Sequence, residues 1–534
     1  MISMSLGGPN DFATTGRSQS LLAYGGTADN VAMSARASGA IAALLWLTLA
    51  LYTFGGLERP IGDGDEVFHA QVVAEMLSTG QYADARWQGV LVQHRPQTSY
   101  WLALPFAALL PGELGMRLSS ALCSFATLLV VFFVARRTFE RSDAAWLATL
   151  VLASSPCFHS YSRTLMSEPP YLLAIAVALG GALRALREPR GLLYAAAGLG
   201  AAGAIKSLAV AVPLLALLPW LAFAARAPLA RRTALQAVAV FAALFLPYYA
   251  IELARHGASF WNEHVLFHLV RRAVGGYGLG LGASPLEYVL QTWKLEGPFV
   301  CAWLALGSAG TCVLGALRRQ ASLVLLGSFA LGVLVLLSVM STKLPHYLLP
   351  MHVAAALGVG GSYASLAQHA SPRFNANGLA FVVLVGLIGG LWGLRYPGGE
   401  AWLLQRDQGS RLGPIARAVS APGDVVYAYE WYGPSLGFYA QRRCVMLTAM
   451  PGRFASINFG TYERAGAARL TPPAPAPAGQ TILIAGPADE LKRAAWLEVR
   501  AVLGFAAPYF LVRGQIRSDP PRASALSPSG PGQL

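Results

Sequence analysis

The residues with the clearest chemical potential lie in one polar stretch, residues 62–101, directly after the first long apolar run. The stretch begins with three acids, Asp63, Asp65 and Glu66. Residues 67–77 then carry apolar side chains at helical spacing, which predicts a helix lying along a membrane interface. The acids would stand near its N-terminus, where the helix dipole favours ionised carboxylates. An ionised carboxylate there can act as a general base on a substrate hydroxyl, whereas the alternative interpretation is a solvated acidic loop.

Isolated cations and one further acid stand at the ends of later apolar segments. Arg95 lies near the end of the polar stretch, Lys206 separates two apolar runs, and Lys343 lies in the turn 341–347. A lone charge at membrane depth is costly and therefore indicates function. If these segments surround one cavity, their cations predict an anion site suited to phosphate; the alternative is that each side chain snorkels to lipid head groups on its own. Glu168, at the start of another apolar run, is a further candidate carboxylate.

Histidines on the same predicted face raise the question of a metal. His94 and His264 are the predicted ligands of a divalent metal ion, with Glu263 and His268 as possible contributors. The His-Glu-x-x-His spacing is absent from the sequence, so hydrogen bonding to a substrate or contact with lipid head groups is the alternative. The sequence also contains no P-loop, dinucleotide fingerprint or nucleophile elbow. Neither a nucleotide nor an organic cofactor is therefore expected.

The composition is typical of a membrane protein. Of 534 residues, 55% are hydrophobic and only 12% are charged, whereas soluble proteins carry about a quarter charged residues. The net charge of +14 does not indicate a nucleic-acid partner, because cations that flank membrane spans concentrate on the cytoplasmic side. Five cysteines, mostly inside or beside apolar runs, predict small core residues and no disulfide framework.

Apolar runs recur along the chain and predict about eleven to thirteen transmembrane helices. The predicted spans are 39–57, 114–135, 144–160, 169–186, 191–205, 207–225, 233–251, 297–317, 321–340, 347–366 and 377–395, with a short or re-entrant helix at 100–110. Arginines occur on alternate connections between these spans. This distribution predicts a cytoplasmic N-terminus and places residues 62–101 on the extracytoplasmic face.

The predicted fold class is a polytopic α-helical membrane protein with a small C-terminal α/β extracytoplasmic domain. Four regions follow: a disordered cytoplasmic tail (1–36), a transmembrane domain (37–398) whose catalytic first extracytoplasmic loop is 58–113, the α/β domain (399–514) and a disordered tail (515–534). Within the α/β domain, the sequence predicts strands at 424–429, 481–485 and 509–512 and an amphipathic helix at 489–500.

The order of these motifs resembles the GT-C glycosyltransferases, most closely the branch of protein O-mannosyltransferases and aminoarabinose (lipid A) transferases, over residues 40–400. Residues 65–70, Asp-Glu-Val-Phe-His-Ala, are similar to the Asp-Glu-x-x-Tyr-Ala pattern of that branch, with His69 in the Tyr place. Residues 94–97, His-Arg-Pro-Gln, stand where the family often reads Glu-Lys-Pro-Pro. Residues 343–347, Lys-Leu-Pro-His-Tyr, are the most specific match.

The resemblance implies a membrane enzyme that takes a sugar from a polyprenyl phosphate and transfers it, with inversion, to an extracytoplasmic lipid, glycan or protein. It implies that Asp65 is the base or the carboxylate that orients the acceptor, and that Glu168 is the second acid of the catalytic set. Glu66 is expected to support Asp65. Five residues would hold the donor phosphate and stabilise the charge that develops on it: Arg95, Lys206, Arg271, Lys343 and Tyr347.

Two other functions are compatible with the sequence. A flippase for a lipid-linked saccharide would use similar charges, but transporters often show internal repeats and charges near the membrane midplane. Here no repeat is evident and the charges lie at span ends on one predicted face. His69 and His94, which replace residues of the family pattern, are also compatible with a catalytically silent member.

Overall fold

The structure is a computed structural model that describes residues 28–62, 64–226, 230–271, 284, 286–341, 343–368, 386, 388–389, 408–431, 433–448, 468–470 and 475–518. Asp63, residues 1–27, residues 519–534 and most of the predicted span 377–395 lie outside these ranges. The described residues up to Tyr52 and those from Thr53 onward belong to two compact units, and the candidate functional site lies within the second.

Helices make up most of the described membrane domain. They are α1 (Ala28–Phe54), α2 (Asp65–Thr79), α3 (Thr98–Leu109), α4 (Gly112–Phe139), α5 (Ser142–Ala153), α6 (Pro156–Ser162), α7 (Glu168–Ala185), α8 (Gly191–Lys206), α9 (Ala211–Ala224), α10 (Ala230–Phe260), α11 (Glu287–Ala305), α12 (Thr311–Arg318), α13 (Ala321–Val339) and α14 (Leu349–Ala367). A two-stranded ribbon, β1 (Arg86–Trp87) and β2 (Val90–Leu91), lies between α2 and α3.

Among the described residues, five helical segments are long and apolar enough to cross a membrane. They are Gly112–Phe139, Gly191–Ala224, Arg231–Leu266, Glu287–Arg318 and Ala321–Val339. The chain is therefore a multi-pass membrane protein, as predicted. Two predicted spans, 191–205 and 207–225, form one segment, which breaks where α8 ends at Lys206 and Ser207 adopts a φ of 58°.

The C-terminal region forms the predicted small α/β domain. Its elements are α15 (Gln408–Ala418), β3 (Val425–Tyr429), α16 (Pro434–Ala440), β4 (Arg443–Thr448), β5 (Ala468–Leu470), β6 (Thr481–Pro487), α17 (Ala488–Arg493), β7 (Leu497–Ala506) and β8 (Tyr509–Ile516). The strands form one sheet in the order β5-β4-β3-β6-β8-β7. The first four of these pair in parallel, and β8 and β7 join the sheet as antiparallel strands.

The prediction of a helix at 489–500 is wrong for its second half. The helix α17 ends at Arg493, and β7 begins at Leu497. Val502 lies directly opposite Val512 of β8 in an antiparallel hairpin. Cross-strand pairing of β-branched residues stabilises a strand here, and this long-range pairing outweighs the local helical spacing.

The helix α2 forms as predicted, but it packs inside the protein and does not lie at a lipid interface. Val67, Val72 and Val73 have no exposed surface. They belong to one hydrophobic core with Leu412 and Leu436 of the C-terminal domain. The apolar face that suggested an interfacial helix is therefore covered by other parts of the protein, among them the α/β domain.

Tyr439 of α16 fixes the chain where it enters α2. The Ile61 amide donates to the Tyr439 hydroxyl oxygen at 2.7 Å, and that hydroxyl donates to Glu113 Oε1 at 2.7 Å. A second contact, from Gln71 Nε2 to the Pro434 carbonyl, measures 3.1 Å. The C-terminal domain is thus hydrogen-bonded to the start of α2 and to the first turn of α4.

We expect Tyr439→Phe to lower the thermal unfolding midpoint of the purified protein. The substitution leaves the Ile61 amide and the Glu113 carboxylate without their partner, at a cost of about 1–3 kcal/mol. Tyr427→Phe is the matched control, because the described residues offer the Tyr427 hydroxyl no hydrogen bond. Equal midpoints for the two variants, measured in one detergent, would contradict the bridging role.

Candidate functional site

The second acid of α2, Glu66, is a buried counter-ion. It is 5% exposed, and its two oxygens pair with Arg117 (Nε to Oε1, 2.6 Å; Nη2 to Oε2, 3.0 Å). The Leu165 amide donates to Oε1 at 3.0 Å. Arg117 has no exposed surface and also donates to the carbonyls of Leu57 and Pro60 at 2.9 and 3.2 Å. Glu66 therefore holds the loop before α2 against α4, which is a supporting position for the predicted base.

The first acid of α2, Asp65, has a different environment. It is exposed, and within the described part of the chain its carboxylate makes no hydrogen bond or ion pair. Gly64, with a φ of 145°, forms the turn into the helix at a conformation that favours glycine. The negative charge of Asp65 acts on Arg95 and on Tyr100. Asp65 is thus an accessible carboxylate next to a cation, the state that a general base requires.

Glu168, at the N-terminus of α7, is the centre of a buried charge cluster. It is 2% exposed; its Oε1 accepts a hydrogen bond from Lys206 Nζ at 2.7 Å and lies 3.3 Å from His346 Nε2. Burial alone would raise the pKa of Glu168, but the charges of Lys206, His346 and Arg95 hold it well below its usual value. Glu168 is therefore ionised and holds these cationic groups in place.

The two cations of the cluster, Arg95 and Lys206, have different neighbours. Arg95 Nη1 donates to Ser167 Oγ at 3.1 Å, and Ser167 Oγ in turn lies 3.3 Å from Glu168 Oε2. Lys206 Nζ lies 5.3 Å from the ring centre of Tyr171 and 5.0 Å from that of Tyr347. Two aromatic faces and one carboxylate therefore fix the ammonium. The structure brings together four of the predicted site residues, Arg95, Glu168, Lys206 and Tyr347.

The imidazole of His264 connects two segments of this site through its two ring nitrogens. It has no exposed surface; its Nδ1 donates to the Gln93 carbonyl at 2.7 Å, and its Nε2 lies 2.7 Å from Ser207 Oγ. Gln93 precedes Arg95 by two positions, and Ser207 follows Lys206 directly. His264 thus sets the separation of the two cations.

The predicted metal site stays a prediction. Both ring nitrogens of His264 contact protein atoms, and the ring of His94 stacks on Phe68 with centres 5.5 Å apart. Among the described residues, no group of three or more His, Cys, Asp or Glu side chains could hold a metal ion.

Two further predicted phosphate ligands are Lys343 and Arg271. Lys343 is 2% exposed, and its Nζ donates to the Met340 carbonyl of its own turn at 2.7 Å. For Arg271 the structure describes the backbone, at the end of a π-helical stretch (Trp261–Arg271), and not the side chain.

Sequence reasoning missed several partners of the site. His346 joins Glu168 to Tyr161, whose hydroxyl lies 2.7 Å from His346 Nδ1. Glu296, 3% exposed, binds His352 Nε2 at 3.1 Å and accepts from Ser155 Oγ at 3.0 Å. Because Ser155 precedes α6 and Tyr161 lies near its end, buried carboxylates fix both ends of this short helix. Glu296 could have been found from the sequence, since an acid beside a predicted span is costly unless it is paired.

His69, which takes the place of the family tyrosine, is buried beside the cluster. It has no exposed surface, and neither ring nitrogen has a hydrogen-bond partner among the described residues. Its ring lies edge-on to Tyr100, with centres 5.2 Å apart. Burial, aided by the charge of Arg95, lowers the pKa of His69 well below its usual value. Its surroundings therefore favour the neutral imidazole.

Comparison with known proteins finds similarity to sugar transferases. The family described as dolichyl-phosphate-mannose-protein mannosyltransferase matches residues 93–251. Among similar proteins is the undecaprenyl phosphate-alpha-4-amino-4-deoxy-L-arabinose arabinosyl transferase 2 of Pseudomonas fluorescens (strain Pf0-1), 25% identical over 61% of this chain and 60% of its own length. The corresponding transferase of Edwardsiella ictaluri (strain 93-146) is 26% identical, with 64% of each chain covered. The chain thus spans less than two thirds of the length of these relatives.

A solved structure shares the fold. The crystal structure of ArnT from Cupriavidus metallidurans bound to undecaprenyl phosphate superposes with a TM-score of 0.67 at 17% identity. The superposition covers 88% of this chain and 97% of that one. The fold of the membrane domain and of the α/β domain is therefore that of ArnT.

We expect the two neighbouring acids to differ sharply in their effect on stability. Glu66→Gln removes one charge of a buried ion pair, which typically costs about 3–5 kcal/mol. Asp65→Asn alters an exposed side chain and should change stability by no more than about 0.5 kcal/mol. Thermal unfolding in detergent compares the two variants directly. Equal midpoints would show that Glu66 is not the structural partner of Arg117.

Proposed function

We propose that this chain, a member of the GT-C glycosyltransferase superfamily, transfers a sugar from a polyprenyl-phosphate donor to a hydroxyl group on an envelope lipid, glycan or protein. The names of its relatives support this donor class, since they specify undecaprenyl phosphate-linked 4-amino-4-deoxy-L-arabinose. The matching family is named for a related chemistry, mannose transfer from dolichyl phosphate to protein.

One observation carries the proposal. Asp65 is an exposed carboxylate with no partner among the described residues, and its charge acts on Arg95, which in turn adjoins the Glu168–Lys206 ion pair. A base and an anion-binding group thus share one site. Inverting sugar transfer from a lipid phosphate needs this pairing, because a proton must leave the acceptor while negative charge develops on the phosphate.

The proposed reaction is a single displacement. Asp65 accepts the proton of the acceptor hydroxyl while the acceptor oxygen forms a bond to the anomeric carbon. The bond from that carbon to the phosphate oxygen breaks, and its electron pair leaves with the polyprenyl phosphate. Because attack comes from the face opposite the phosphate, the configuration inverts. Preorganised cations stabilise the leaving phosphate without having to reorient.

Arg95 and Lys206 are the proposed phosphate ligands. The Arg95 guanidinium offers several N–H donors, of which the structure uses one toward Ser167. Lys206 Nζ donates a hydrogen bond to Glu168 and has two adjacent ring faces. Glu168 acts in this scheme as the fixed counter-ion that keeps the cations oriented before the donor arrives. The resemblance to the GT-C family adds Arg271, Lys343 and Tyr347 to the proposed phosphate ligands.

The proposed setting is the inner or plasma membrane. The arginine distribution supports a cytoplasmic N-terminus and an extracytoplasmic C-terminal domain. The proposal also includes a divalent metal ion bound by His94 and His264. Its support is the sequence pattern alone.

We expect Asp65→Asn to abolish sugar transfer while leaving donor binding intact. Loss of a general base typically lowers the rate about 100- to 10,000-fold. The assay uses purified protein in detergent with a labelled polyprenyl-phosphate sugar and an envelope extract as the acceptor. The control is Glu58→Gln, which alters an exposed acid in the loop before α2. This variant should retain wild-type turnover. Near-normal turnover by Asp65→Asn would refute its role, and a wild-type protein that makes no product in detergent would favour the flippase.

We expect Arg95→Gln to act mainly on donor affinity. A hydrogen bond to a charged group contributes about 1.5–3 kcal/mol, so the KM for the donor should rise about 10- to 150-fold with a smaller change in kcat. Arg86→Gln is the matched control in the same loop, since Arg86 is engaged by the Gly89 carbonyl and Asp84. An unchanged KM for Arg95→Gln, measured over a donor concentration series, would remove Arg95 from the phosphate site.

A further inference from the structure

A second charged cavity lies at the opposite end of α7 from Glu168. It has a volume of about 170 Å³ and is lined by Arg137, Thr138, Leu183, Arg184, Arg187 and Glu188. The C-terminal ends of α4 and α7 meet here with the turn that leads into α8. None of these residues takes part in the proposed transfer reaction.

The cavity carries uncompensated positive charge. Arg184 is neutralised by Glu188 through two contacts of 2.6 and 3.1 Å. Arg137 and Arg187, in contrast, form no ion pair with any described residue, and Glu140 at the end of α4 does not pair with them. Arg187 Nη2 donates to the Thr138 carbonyl at 2.9 Å, which fixes the guanidinium and leaves its other N–H groups available. Three arginines and one glutamate give a net charge of +2.

An apolar concavity adjoins this charged one. It has a volume of about 430 Å³ and is lined by Phe133, Arg136 and Arg137. Phe133 is 58% exposed on the membrane-spanning segment Gly112–Phe139. Arg137 lines both concavities, so a polar cavity continues into an apolar one along the same helix. A lone arginine that snorkels to the membrane surface needs neither a fixed neighbour nor an adjoining apolar concavity.

We infer that this pair of concavities binds an anionic glycerophospholipid of the surrounding membrane. Arg137 and Arg187 would contact the head-group phosphate, and an acyl chain would lie along Phe133. Basic pockets between membrane helices bind anionic head groups in this way. Inorganic phosphate could contact the same arginines as a head group, but it has no acyl chain to fill the apolar concavity. The inference does not depend on the sugar-transfer proposal, because it concerns lipid binding at the other end of the helices.

The test is lipid retention by the full chain in detergent, measured by native mass spectrometry. The probes are phosphatidylglycerol, phosphatidylcholine of the same acyl length, and inorganic phosphate as a competitor. We expect selective retention of phosphatidylglycerol, reduced on the order of 20-fold in the double variant Arg137→Gln/Arg187→Gln, since each surface cation contributes about fivefold. The matched control is Arg231→Gln/Arg232→Gln, which removes two exposed arginines before another span.

Three results would overturn the inference: equal retention by the two double variants, equal retention of the two lipids, or full displacement by inorganic phosphate, which would indicate a free-phosphate site. Phe133→Ala provides an independent arm because it leaves the charge unchanged. It should weaken retention of the long-chain lipid more than that of a short-chain phosphatidylglycerol. An equal effect on both chain lengths would exclude Phe133 as the acyl contact and thus overturn the lipid assignment.

Discussion

The structure depends on one constraint, that a carboxylate removed from water must be paired. An unpaired buried charge costs several kcal/mol, and a buried pair offsets this cost only when its geometry is good and its remaining donors and acceptors are satisfied. Glu66, Glu168 and Glu296 each meet the requirement with a different partner set. These three acids connect segments that are far apart in sequence. Asp65, in contrast, is exposed and has no such partner among the described residues, as the proposed base requires.

The same constraint accounts for the order of the cations in the proposed phosphate site. Glu168 orients Lys206 directly and Arg95 through Ser167, while His264 fixes the backbone beside both cations. A lipid phosphate that enters this arrangement meets donors already in position, so little ordering entropy is lost on binding. The α/β domain helps to position Asp65. It packs against α2, and its Tyr439 accepts a hydrogen bond from the Ile61 amide in the loop before Asp65.

The sequence predicted the membrane class, the α/β domain and the helix that carries Asp65, because these depend on local composition and spacing. The resemblance to the GT-C superfamily is also confirmed by the family match, the relatives and the shared fold. The pairing of Glu66 with Arg117, 51 positions apart, was not predictable, since no local pattern reports which buried charges meet. The segment 489–500 was assigned wrongly for a related reason, because its partner strand β8 lies later in the chain.

The most direct test of the central claim is an experimental structure of the protein with bound polyprenyl phosphate, at a resolution that places the phosphorus atom. The account predicts the phosphate within hydrogen-bonding distance of Arg95 and Lys206, with the Asp65 carboxylate next to the position of the anomeric carbon. A phosphate bound elsewhere, with Arg95 and Lys206 still engaged only by Ser167 and Glu168, would contradict it.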